Sequence, residues 1–231
     1  MRQLALELKI ADYARFSSFY GGPNAAVLAA LQRAATDPEP ALHWIWGQPG
    51  SGRSHLLQAA IAAAAETRCA WLPLGESAGL DPAMLEGMGN LQLLCLDDVD
   101  AVAGDAGWER ALFNLCEDVK ANRGRLLLSA GVAPRGAGFA LPDLTSRLAA
   151  GATWRLHPLT DDDLLGALQL RASWRGLELS DEAGRFLLRR VERQASSLFA
   201  LLDRFDQAAL AAAQGRLTVP FIKAVLAQGA G

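Results

Sequence analysis

Gly47-Gln48-Pro49-Gly50-Ser51-Gly52-Arg53-Ser54 is the stretch of this 231-residue chain with the clearest chemistry. Its glycines let the backbone turn successive N–H groups inward, and such a ring of amides cradles the oxygens of a phosphate chain. The run His43-Trp44-Ile45-Trp46 ahead of it reads as a strand, and His55–Ala65 behind it reads as a helix. The helix start adds unpaired donors and partial positive charge. Ser54 offers a hydroxyl to Mg²⁺. Gly47, Gly50, Ser51, Gly52, Arg53 and Ser54 are therefore the candidate phosphate-site residues. His55 follows directly, either beside the phosphates or in a helix-capping contact. Taken alone, the loop is also compatible with a plain turn that holds nothing.

The pattern GxxxxGK[ST] has lysine where this chain has Arg53. Arginine keeps the charge but spreads it over a larger planar fork. The loop remains suited to phosphate binding, but the placement needed for fast hydrolysis is not expected from it. A second element strengthens the reading. Leu91–Leu96 is an apolar run that ends in Asp97-Asp98. A buried parallel strand ending in a carboxylate holds Mg²⁺ or its water in many nucleotide sites. Asp97 is the expected metal-side residue, and Asp98 the one that orients water.

The elements that must position these residues alternate. Ala41–Trp46, Cys69–Leu74, Leu91–Leu96, Arg125–Ser129 and Ala152–Leu156 are short and mostly apolar, as strands covered on both faces are. Helical and loop segments separate them, which argues for a parallel sheet. After Pro158 no further strand is expected. Thr160 is an N-cap candidate, followed by three aspartates suited to a helix's first turn. Ser180 is a second cap candidate, and Thr218-Val219-Pro220 opens a last short helix. The expected organisation is an arm over 1–20, an α/β nucleotide-binding domain over 21–158 and a helical lid over 159–231.

The net charge of −3 does not advertise direct duplex binding, which usually brings a basic stripe. Cys69, Cys95 and Cys116 form no CxxC pair and sit in apolar runs, so reduced buried thiols are expected. The N-terminus lacks a secretory core, and no run approaches the ~20 apolar residues of a membrane span. A cytoplasmic protein with no membrane partner is expected. The tryptophans in strand runs read as core rather than as a stacking platform.

GQPGSGRSHLL, LLCLDDVDAVAGD, LPDLTSRL and LQLRASWRGLELSDEAGRFLLRR together resemble the Hda family of AAA+ proteins, over nearly the whole chain. Arginine in the loop is part of that resemblance. The resemblance implies a P-loop AAA+ fold: a parallel-sheet domain followed by a small all-helical lid. It implies bound ADP (or ATP) with Mg²⁺, docking on the DNA-loaded sliding clamp of the replicative polymerase, and stimulated hydrolysis of ATP held by the initiator DnaA. DNA is then a partner only through the clamp, in a bacterial cytoplasm near the nucleoid. Self-association is compatible with AAA+ geometry. No counterpart of the initiator's C-terminal DNA-binding domain is expected after the lid.

Within that resemblance, Gln3, Leu4, Leu6 and Leu8 are the clamp-binding candidates, with Glu7 where the family has proline. An extended peptide fills a groove with alternate side chains in this way. Arg147 falls at the arginine-finger position, reaching the γ-phosphate held by a neighbour. Gly131 stands in place of a family aspartate and Ser196 in place of the lid's sensor arginine, with Arg193 nearly one turn away. Arg53, Gly131 and Ser196 together imply slow turnover by the isolated chain. The competing expectation is an autonomous AAA+ ATPase that remodels a replication protein, as helicase loaders do.

Overall fold

Strands that are apolar along their whole length form the middle of a sheet, and strands with exposed positions form its edges. A computed structural model describes residues 14–64, 66–76, 79–191 and 195–228. In it, β3 (Leu93–Asp97) and β4 (Arg125–Ala130) are buried at every position. β1 (Ala41–Trp46) is half-buried at its start, and β2 (Cys69–Pro73) and β5 (Ala152–Arg155) lie at the edges. The order is β2-β3-β4-β1-β5, with every pairing parallel. The sequence reading placed these strands to within two residues. The useful difference is at β3, which starts later and runs through Asp97. Asp97 is thus held by the ladder rather than by the turn after it.

Helices cover both faces. α2 (Arg53–Ala63) packs on β3 and β4 and carries α1 (Ala25–Thr36) against it. α3 (Ala106–Ala121) and α4 (Pro142–Ala149) share a core with Trp44, Leu94, Leu96, Leu126 and Leu128. Trp44 is fully buried and donates from Nε1 to the Val132 carbonyl at 2.9 Å. That satisfied indole is the core role expected of it. Trp154 is also accounted for: it stacks on His43 and donates to His43 Nδ1 at 2.9 Å. Burial, with help from Arg33, lowers the His43 pKa, which keeps the ring neutral and able to accept that bond.

The chain divides into two compact units. One contains described residues 14–16 and 25–157; the other contains 17–24 and 158–228. Residues 17–24 group with the helices rather than with the sheet. Within that second unit, the Trp174 indole donates to the Ser17 carbonyl at 3.1 Å.

The second unit consists chiefly of α5 (Asp161–Ser173), α6 (Asp181–Arg190), α7 (Ala195–Ala211) and α8 (Val219–Gln228) around Leu168, Leu187, Leu202, Phe205 and Ile222. Thr160 and Asp163 form a reciprocal capping box at the start of α5. The Thr160 bonds hold the Asp163 carboxyl below its ordinary pKa. Ser180 caps α6 through the Ala183 amide at 3.3 Å. One expectation is corrected here. Two further strands exist, β6 (Glu178–Leu179) and β7 (Arg216–Leu217), paired in parallel. Each has two residues, too few to display any period.

Candidate nucleotide site

β1 delivers the chain to Gly47, whose N–H donates to the Ala130 carbonyl at 3.3 Å and continues the β1–β4 ladder. A Cβ at Gly47 would lie 3.0 Å from Ser51 Oγ and 3.1 Å from the Leu156 backbone, so close approach accounts for this glycine. Gly50 and Gly52 have φ of 78° and 95°. These left-handed values are what glycine supplies without strain. Ser51 N–H donates to Gln48 O at 3.1 Å and closes the loop. α2 then begins at Arg53, two residues earlier than expected. Its N-cap is Gly52, which offers no side-chain bond, so the first amides of α2 are not capped from that position.

Arg53 turns across the loop. Its Nη1 donates to the Gly47 carbonyl at 2.8 Å, and its Nη2 pairs with Asp98 Oδ1 at 2.8 Å. The Arg53 side chain is 12% exposed and Asp98 40%. The glycine-rich loop and the end of β3 are thereby tied by one guanidinium. Burial raises the Asp98 pKa, Asp97 and Asp100 add to the rise, and Arg53 opposes it.

Asp98 has a left-handed backbone, φ 52°, at the turn after β3. Asp97 is 3% exposed and accepts the Ser129 hydroxyl. The same Ser129 oxygen accepts the Asp98 N–H at 3.0 Å. β4 therefore supplies the hydroxyl that holds the Asp97 carboxylate and the Asp98 backbone together. Gly131 N–H donates to Asp100 Oδ2 at 2.8 Å. A Cβ at Gly131 would lie 3.1 Å from that carboxylate oxygen, so an aspartate here would meet like charge.

The residues present fit a nucleotide with its cation. Ser51 Oγ is buried without a hydrogen-bond partner, an unmet polar group inside the loop. The Ser54 hydroxyl and the second Asp97 oxygen have no partner among the described residues. Among those residues, no three His, Cys, Asp or Glu side chains converge as a metal cage. Mg²⁺ at a phosphate site needs only one or two protein oxygens beside phosphate and water. The His55 ring meets the Arg15 carbonyl at 3.0 Å, which ties the first turn of α2 to the chain ahead of α1.

Arg147 stands on the last turn of α4 and is positioned by α3 and α4 rather than by the loop. It pairs with Glu117 of α3, with side-chain exposures of 31% and 42%. A residue that the sequence reading missed sets this corner. Glu109, 2% exposed on α3, accepts from the amides of Gly104, Ala140 and Leu141 at 2.8, 2.9 and 2.6 Å. Burial alone would raise its pKa, but the three amides outweigh it and hold it low.

Glu109→Ala should destabilise the protein by about 2 kcal/mol or more, because three backbone donors lose a buried, charged acceptor. A denaturant midpoint close to wild type would overturn that. The contribution is complete above the unfolded value near 4.5 and is lost as pH falls through the lower folded one. The variant's acid-unfolding curve should therefore be flatter.

Gln3, Leu4, Leu6, Leu8 and Arg193 lie outside the described residues, as does the side chain of Ser196.

Residues 161–226 match the family model for the Hda lid domain. Among solved structures, domain III of the Thermotoga maritima replication initiation protein DnaA superposes with a TM-score of 0.76 at 17% identity. That match covers 95% of this chain and 98% of that one. AMPPCP-bound DnaA from Aquifex aeolicus gives 0.71 at 18% identity, over 87% of this chain and 66% of that longer protein. The RuvB Holliday junction branch migration motor of Thermotoga maritima gives 0.67 at 16% identity, over 92% and 72%. At such identities the structural likeness is one of fold. The fold of these solved structures thus spans the chain, a parallel-sheet unit followed by a helical unit, and within the latter residues 161–226 match the Hda lid-domain model.

Proposed function

We propose that the chain is a nucleotide-bound negative regulator of replication initiation that makes DnaA hydrolyse its ATP. One observation carries the reading. The loop keeps its backbone donors, while the cation at the lysine position is committed to Asp98 and Gly47. Such a site suits retention of ADP with Mg²⁺ better than rapid turnover. The Hda-type lid supports the assignment to DnaA regulation.

In this reading Arg147 leaves Glu117 and supplies positive charge to the phosphate held by DnaA. Gln3, Leu4, Leu6 and Leu8 dock the arm on the sliding clamp, which brings DNA close through the clamp. The deciding experiment is single-round hydrolysis of ATP prebound to DnaA, with this protein, ADP and DNA-loaded clamp. Acceleration that is lost with Gln3→Ala supports the whole reading. No acceleration, together with steady ATP turnover by the isolated chain, would transfer the protein to the loader-like class.

A further inference from the structure

The end of the sheet opposite the glycine-rich loop, where β2, β3 and β4 begin, holds a concave site of about 580 Å³. It lies between the end of α1, the approach to β2 and the turn from α3 into β4. Arg68, Arg123 and Arg125 line it, and no carboxylate does. Three guanidinium groups in one hollow are notable in a chain whose net charge is −3.

Arg125 is the informative member. It is 4% exposed, at the first position of β4. Its Nε donates to the Gln92 carbonyl at 3.0 Å, and Nη1 donates to the carbonyls of Ala34, Ala35 and Asp37 at 3.1, 2.9 and 2.9 Å. Nη2 has no partner among the described residues, and no carboxylate there pairs with the group. The carbonyl end of α1 offers roughly half a negative charge. A buried cation so placed remains short of an anion.

The other two arginines are equally available. The Arg68 side chain has no partner among the described residues; only its backbone N–H is held, by Gln92 Oε1 at 3.0 Å. Arg123 reaches Glu39 at 3.7 Å with both side chains about three-quarters exposed. An ion pair that open contributes little. Asn122 is anchored to Gly89 O at 3.1 Å and fixes the rim.

We propose that this hollow binds a small, multiply charged phosphate ester or anhydride, separately from the glycine-rich loop. Guanidinium forks match phosphate oxygens in pairs, and the volume lies in the range of small-ligand sites. Nη2 of Arg125 forms the floor contact, and Arg68 and Arg123 close on the ligand from the exposed side.

The test is calorimetric titration of inorganic pyrophosphate into the full chain at low salt, with ADP in excess to occupy the loop. Saturable uptake should appear, weaken at least about tenfold in the double variant Arg68→Ala/Arg123→Ala, and persist in Arg53→Ala. Both pocket substitutions are at exposed positions, and an unchanged melting temperature certifies the fold. No uptake, equal uptake by the double variant, or loss in Arg53→Ala instead would overturn the proposal. Displacement of pyrophosphate by a short DNA duplex more strongly than by ATP would overturn the small-molecule assignment.

Discussion

Arg147→Ala should abolish the acceleration of ATP hydrolysis on DnaA, by roughly 10³-fold or more, while clamp binding persists. An arginine reaching a γ-phosphate in trans stabilises transition-state charge and contributes roughly 10³–10⁵ in rate, or about 4–7 kcal/mol. Arg147 can be released for this at small cost. Its partner Glu117 is partly exposed, and such pairs contribute about 1 kcal/mol or less. Glu117→Gln should therefore raise the stimulation, by up to about fivefold, in contrast to the alanine variant. Arg147→Lys should behave almost like Arg147→Ala, because an ammonium lacks the planar fork. Full stimulation by Arg147→Ala would remove Arg147 from the mechanism.

The second large effect is expected at Arg53. Arg53→Ala should weaken ADP binding by roughly tenfold, because it removes a cation from the loop and leaves the partly exposed Asp98 carboxylate unopposed there. The loss has a clear physical source. Asp98 would keep its neighbours Asp97 and Asp100 but lose the cation that opposes them, and the incoming phosphates are anionic as well. Arg53→Lys should retain most of the binding, since the charge remains. Equilibrium binding of a fluorescent ADP analogue measures both variants. Wild-type affinity in Arg53→Ala would mean that the Gly47–Arg53–Asp98 tie plays no part in holding nucleotide.

The loop and the strand ends were legible because their determinants are local. Gly50 and Gly52 occupy left-handed positions that the glycine spacing announces. Asp97 terminates an apolar run, and Thr160 with Asp163 caps a helix within four residues. What stayed hidden joins residues distant in sequence. Arg53 to Asp98 spans 45 positions, and Glu109 captures amides 31 and 32 positions away. No local period encodes such pairs. Glu117 reads as one more charge on an exposed helix face until α4 is packed beside it. The grouping of residues 17–24 with the helical unit was hidden for the same reason, since the Ser17–Trp174 bond links positions 157 apart.

The strand order also has a consequence for how the molecule is made. β1, which leads into the glycine-rich loop, pairs with β4 and β5 among the described residues. The first pairing is not complete until synthesis has passed residue 130, and the second not until residue 155. β2 and β3, by contrast, can meet once residue 97 has emerged. Closing long segments before any contact rewards them is slow. β1 should thus wait unpaired on the growing chain, its Trp44 and Ile45 open to chaperones. In refolding followed by pulsed hydrogen exchange, β2–β3 amides should gain protection before those of β1. The phosphate loop would then be among the last parts of the nascent protein to take shape.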